Sequence, residues 1–230
     1  MSSGRRRVLE AAAARLRGAL VATPLLGEPL LVGRGVAEGL RLKLECLQCG
    51  GSAWFRGAMH ALARRFGSIA RLAAEGDADC VRALASAAAL QRVECHALAP
   101  ADAAQRAVLV ALGAVLHEAQ AGLPGALARL DRAAPDFTEG LATLGLELAD
   151  ELPSEIVAVF VAEEFAAAVG DGLQAAGRPL ALIAVPADRS PDPGLADAVL
   201  RGARVLPGER GLAALSAALA SPLRPAAVLV

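Results

Sequence analysis

Strand-like and helix-like segments alternate along the whole of this chain, and that alternation excludes most fold classes. It is the pattern of an α/β protein built around a largely parallel sheet. Residues 156–161, 180–185 and 226–230 are short, nearly continuous apolar runs, the form taken by strands buried on both faces. Residues 40–45 alternate in polarity as a strand does, and 80–85, 93–98 and 114–117 read as further short strands. Helices are predicted over 55–66, 101–112, 123–133, 138–151, 162–176 and 211–219, with Gly113 and Gly177 as C-terminal stops. Residues 191–194 and Pro207-Gly208 read as loops. No repeat or linker divides the 230 residues, so one unit of two lobes is expected.

A net charge of −1 and a pI near 6.3 supply no basic field, so neither nucleic acid nor an anionic membrane is an expected partner. Hydrophobic residues make up 55% of the chain, but much of this is alanine spread along helices. No apolar run approaches the roughly 20 residues that span a bilayer. The N-terminus carries Arg5-Arg6-Arg7 and then an alanine-rich stretch to Leu20. Without a continuous apolar segment it does not read as a secretory signal. A transit peptide is the alternative to the preferred reading, an amphipathic helix with solvated arginines. Four cysteines in a chain of this length do not make a disulfide scaffold, and a reducing cytoplasm is expected.

Few side chains stand at spacings that carry chemistry. Cys46-Leu47-Gln48-Cys49 is a C-x-x-C between a strand and a helix, the setting of a redox pair. The helix, however, is predicted to start near Ser52, too late for its amides to activate Cys49. A zinc site with Cys80, Cys95 or His96 lacks a closely spaced second pair, so buried structural cysteine is the preferred reading and no metal is expected. His60, His96 and His117 have no partner at a motif spacing and read as packed or surface residues. Asp77 and Asp79 read as turn residues, and Glu147 as a structural or solvated acid.

A different signal comes from order. Thr23-Pro24-Leu25 is followed by Lys43-Leu44-Glu45, Gln48, and then Ser52-Ala53-Trp54-Phe55-Arg56-Gly57-Ala58. This succession resembles the opening of the pyridoxal-phosphate enzymes of fold type II, threonine/serine dehydratases and serine racemase above all. Their Thr-Pro-Leu and Lys-x-Glu segments lead through a Gln to Ser-Phe-Lys-x-Arg-Gly-Ala. Downstream, Ala99-Pro100, Gln105-Arg106 and Leu112-Gly113-Ala114-Val115-Leu116 resemble the strand, helix and Gly-Ala-Glu-Val turn of the family's smaller lobe. Gly140, Thr143 and Glu147 resemble its Gly-x-Gly-Thr-x-x-x-Glu helix. The likeness covers most of residues 20–187. It implies a tryptophan-synthase-β-like α/β architecture of two lobes, the larger near 1–60 plus 140–230 and a truncated smaller one near 61–139.

The resemblance also implies a cofactor site, and four of its parts are missing. The family's chemistry needs a lysine that forms an imine with the cofactor aldehyde; Trp54 stands at that position, and an indole cannot form an imine. Lys43 is the only lysine in the chain and lies on the strand. The glycine run that brings backbone amides to the phosphate is replaced by Ala162, Glu163, Glu164 and Phe165. The family's Ser-x-Gly-Asn-His segment and most of its following helix read as deleted after Leu84-Ala85-Ser86. The polar residue that follows the family's last strand is expected to lack a counterpart, since the apolar run at 226–230 reads as that strand.

Ser52, Arg56 and Gly57 are the retained motif residues. The expectation is a pseudoenzyme without a cofactor, which assembles as a homo-oligomer or pairs with an active paralogue. The alternatives are an amino-acid ammonia-lyase of weak or altered activity that still holds pyridoxal phosphate, and a small-ligand binding module. Association is expected on physical grounds as well. Strands at 80–85 and 93–98 would leave no room for a crossover helix, exposing Val81 and Leu84.

Overall fold

The computed structural model describes residues 2–27, 39–186, 214–215, 217–218 and 226–229. The predicted loops at 191–194 and 207–208 lie outside these residues. The chain divides into two compact units, one of residues Met1–Leu9, Ala22–Leu47 and Ala142–Val230, the other of Glu10–Val21 and Gln48–Leu141. The divisions fall after residues 9, 21, 47 and 141.

The helices are α1 (Ser2–Leu16), α2 (Trp54–Arg64), α3 (Ala78–Gln91), α4 (Ala103–Ala111), α5 (Pro135–Glu151) and α6 (Glu163–Ala175). The strands are β1 (Leu25–Leu26), β2 (Leu40–Lys43), β3 (Arg71–Ala74), β4 (Glu94–Leu98), β5 (Val115–His117), β6 (Ala158–Ala162), β7 (Ala181–Val185) and β8 (Ala226–Leu229).

The first unit carries a five-stranded sheet in the order β1-β2-β8-β6-β7. Only the short β1 runs antiparallel, with Leu25 opposite Lys43. β8 lies between β2 and β6, parallel to both, with Ala226 opposite Leu40 and Ala158. The apolar run predicted at 226–230 is therefore a central strand, and all of β8 is buried. Leu40, Leu42, Phe160, Val185 and Val228 build one core cluster with Leu215 and Ala218, from the stretch predicted helical at 211–219. Behind the sheet α5 and α6 meet through glycine, because a Cβ on Gly145 would sit 2.2 Å from the Val169 carbonyl oxygen.

The second unit carries a three-stranded parallel sheet, β3-β4-β5, and here the sequence reading needs correction. Residues 80–85, read as a strand, form the centre of α3. The strand is β3, which the sequence reading missed. Asp77 caps α3, its carboxylate accepting from the amides of Asp79 and Cys80 at 3.0 Å, an arrangement that starts helices well. Residues 83–88 are all buried, so this stretch shows no 3.6-residue period to read. The crossover helix expected to be deleted is present, and it covers the sheet. Leu84 is only 4% exposed, and the uncovered face from which association was argued does not exist there.

A second correction concerns residues 123–133, predicted helical. Gly122 takes a positive φ of 65°, and residues 123–133 form turns and a single bridge in place of a helix. Ala128 instead bonds alongside β3, donating to the Arg71 carbonyl and accepting from the Ala73 amide.

Candidate functional site

Lys43 sits at the end of β2 with its ammonium fully buried. It donates to the Thr23 carbonyl at 2.8 Å, to the Glu151 carboxylate at 2.7 Å, and to the Glu147 carboxylate. Thr23 in turn donates its hydroxyl to Glu45 at 2.5 Å. Three motifs that carry the family resemblance thus meet here, Thr-Pro-Leu, Lys-x-Glu and the Glu of the Gly/Thr/Glu helix. They meet as an ion-pair cluster that joins β1, β2 and α5. The amine of the chain's only lysine is committed to this cluster as a cation.

The head of α2 is built differently. The Ser52 hydroxyl accepts from the Trp54 amide at 3.2 Å, just before α2, whose N-cap position is Ala53. Trp54 is 5% exposed. Its ring meets Phe137 edge-on at 6.0 Å between centroids, and the Arg132 guanidinium lies 5.3 Å over its face, the geometry of a cation–π contact. Arg56 is 1% exposed. Gly57 allows α2 to press against α5, since a Cβ there would lie 2.3 Å from the Phe137 ring; at Gly140 a Cβ would lie 2.4 Å from the Arg56 carbonyl oxygen. Ser52 and Arg56 are both buried, and Gly57 and Gly140 are two faces of one helix contact.

At the end of β6 the chain passes from strand to helix without a loop. Ala162 ends β6, and Glu163 opens α6 with no side-chain cap. Glu163 is exposed, Glu164 half-buried and Phe165 buried. Two carboxylates in the first turn suit the helix dipole. No glycine stands between strand and helix to let an anionic group approach the amides.

The turn from β3 into α3 runs through Glu75-Gly76-Asp77-Ala78, with Gly76 at φ 132°. Asp77 is occupied with capping α3.

The remaining candidates also find places. All four cysteines are free thiols. Burial raises the pKa of Cys46, and that of Cys95 to about 11, so neither is an activated nucleophile. His60 is fully buried, with Nδ1 2.6 Å from the Asp136 carbonyl and Nε2 3.0 Å from the Arg15 guanidinium. His96 and His117, unpaired in the sequence reading, stack across β4 and β5 with Nδ1 of one 2.9 Å from Nε2 of the other. Their separation of twenty-odd residues was unreadable before the strand register was known. No three histidine, cysteine, aspartate or glutamate side chains among the described residues gather as a metal site. No helix among these residues is long and apolar enough to cross a membrane.

No family model matches the sequence, and no curated protein is significantly similar to it. Solved structures do match. Serine racemase from Dictyostelium discoideum superposes with a TM-score of 0.75 at 13% identity, over 98% of this chain and 96% of that one. Diaminopropionate ammonia lyase from Escherichia coli gives 0.70 at 15% identity, over 99% and 87%. The processed form of threonine deaminase isoform 2 from Solanum lycopersicum gives 0.65 at 18% identity, over 100% and 71%. A further match is described as a pyridoxal 5'-phosphate-dependent aspartate racemase. At such identities it is the architecture that is shared, and the chain has the α/β fold of the fold type II pyridoxal-phosphate enzymes.

Proposed function

We propose that this chain is a non-catalytic relative of the threonine/serine dehydratases that forms no imine with pyridoxal phosphate. One observation carries the reading: a buried tryptophan occupies the imine position, while the only lysine is buried in an ion-pair cluster with Glu147 and Glu151. The residues present do not fit the cofactor. The helix that would receive its phosphate begins with Glu163 and Glu164 directly after β6, and two carboxylates repel a dianion. A chain without the chemistry acts through what it binds, and a role as partner or regulatory subunit of an active paralogue fits that.

The test is spectroscopic. The purified protein is mixed with excess pyridoxal phosphate and its visible spectrum recorded before and after borohydride, followed by peptide mapping. The expected result is no reducible imine band and no pyridoxyl adduct on Lys43. A stoichiometric adduct on Lys43 would overturn the reading.

A further inference from the structure

The second unit contains a cavity of about 400 Å3. It opens where β3 and β4 end and the helices that follow them begin, the position at which open parallel sheets bind ligands. Its volume lies within the range of small-molecule sites, about 300–1,000 Å3. Val81 of α3, Leu98 of β4 and Val108 and Leu109 of α4 form its apolar walls. Leu98 and Val108 are each 43% exposed. A single exposed apolar side chain needs no account, but these two come from different elements and face one concavity.

The polar lining narrows the ligand class. Glu75 and Arg82 both line the cavity, and both charges are already met. Glu75 pairs with Arg129 at 2.8 Å, and Arg82 with Asp79 at 2.7 Å and the Gly50 carbonyl at 2.6 Å. No net charge is left to attract an ion, and an ionic ligand would have to give up its hydration against apolar walls. Gln105 contributes a neutral amide that can both donate and accept. An apolar cavity of about 150 Å3 holds a single benzene ring, so this one has room for two fused rings or an equivalent compact body.

We infer that this cavity binds a neutral, largely apolar small molecule of about two-ring size carrying one hydrogen-bonding group, which Gln105 meets. The site is made by the second unit alone and does not depend on whether the chain forms an imine.

The probe is 2-naphthol, titrated into the full-length protein by calorimetry with amide NMR mapping. Expected are saturable one-to-one binding, shifts concentrated in residues 74–82 and 98–109, and binding of anionic 2-naphthoate weaker by about tenfold or more. Val108→Trp fills the cavity from a half-exposed helix position and should weaken binding by about tenfold or more without lowering the unfolding midpoint. Gln105→Leu should weaken it severalfold. If Val108→Trp does not fold, Gln105→Leu decides, and unchanged affinity there overturns the inference. Absence of saturable binding, equal affinity for 2-naphthoate, or shifts outside these segments would overturn it as well.

Discussion

β2 and the head of α2 follow one another in the sequence, and both carry family motifs, yet the two regions have diverged in opposite ways. On β2 every motif residue is present and each is tied to another. Lys43 reaches Glu147, Glu151 and Thr23, and Glu45 receives the Thr23 hydroxyl. At α2 the outer motif residues remain while the centre is replaced by Trp54, held by Phe137 and Arg132. Lys43, Glu45, Gly57 and Trp54 are each held by contacts that join one element to another, so the residues of these motifs build the fold whatever chemistry they carry.

The comparison breaks most directly at Lys43. If the lysine is structural, Lys43→Met removes a cation that faces two carboxylates and a carbonyl. Breaking a buried pair from one side costs about 3–5 kcal/mol, and because Glu147 and Glu151 are 25% and 36% exposed the loss should fall at the low end, about 3 kcal/mol. Urea unfolding measures it. A loss below about 1 kcal/mol, the worth of a surface ion pair, would place the cluster among dispensable contacts.

The glycine contact of α2 with α5 should come next. Gly140→Ala gains helix propensity of about 1 kcal/mol, but its Cβ would lie 2.4 Å from the Arg56 carbonyl oxygen and 2.9 Å from the Gly57 Cα. Backbone cannot step aside as a side chain can, and overpacking costs about 1–3 kcal/mol. A net loss of stability on thermal unfolding is expected, whereas Gly125→Ala, with nothing within 4 Å, should show none.

How legible all this was in the sequence depended on what each segment is packed against. β6, β7 and β8 were readable because strands covered on both faces are short apolar runs bounded by polar residues. α5 and α6 were readable by length and by their glycine or acidic ends. α3 was not, because an alanine-rich helix with residues 83–88 all buried offers no clear period to tell it from a strand. That single error moved the Gly76-Asp77 turn out of view, made a crossover helix seem deleted, and produced an association argument from a face that α3 covers. The motif residues at Lys43, Ser52, Arg56 and Gly57 were found by order alone. Their structural roles were not, since the partners Glu151, Phe137 and Gly140 are distant in sequence and become neighbours only through packing.

A smaller effect should appear in pH dependence. The Asp136 carbonyl accepts from Nδ1–H of His60, and Nε2 accepts from Arg15, so the folded state holds the neutral ring. Burial lowers the His60 pKa below 6.5 and the Arg15 charge adds to this, while the Asp136 carbonyl opposes it. Well above pH 6.5 the ring is neutral in both states and contributes no slope. Below it the unfolded chain takes a proton that the folded chain refuses, so stability falls as pH falls. His60→Asn, which keeps a donor toward Asp136, should flatten the slope between pH 6.5 and about 5, the range above ordinary carboxylate titration. An unchanged slope would show that the ring titrates alike in both states.

The smallest expected effect is on activity, and it tests α2 itself. Trp54→Lys places an amine where the family has one, but leaves Glu163 and Glu164 at the start of α6 and Asp77 as the cap of α3. Groups that act as a unit recover little when one member is restored. The new lysine also stands near Arg132, whose guanidinium lies over the present indole, and that charge works against a second cation. Incubated with serine or threonine and excess pyridoxal phosphate, the variant should release no more 2-oxo acid than Trp54→Arg, which carries the same charge but no amine able to form an imine. Both should be checked for native circular dichroism first. Turnover by Trp54→Lys alone would mean that the phosphate and ring contacts survive in a form the helix starts do not reveal, and that the two regions differ by one residue rather than by a dismantled site.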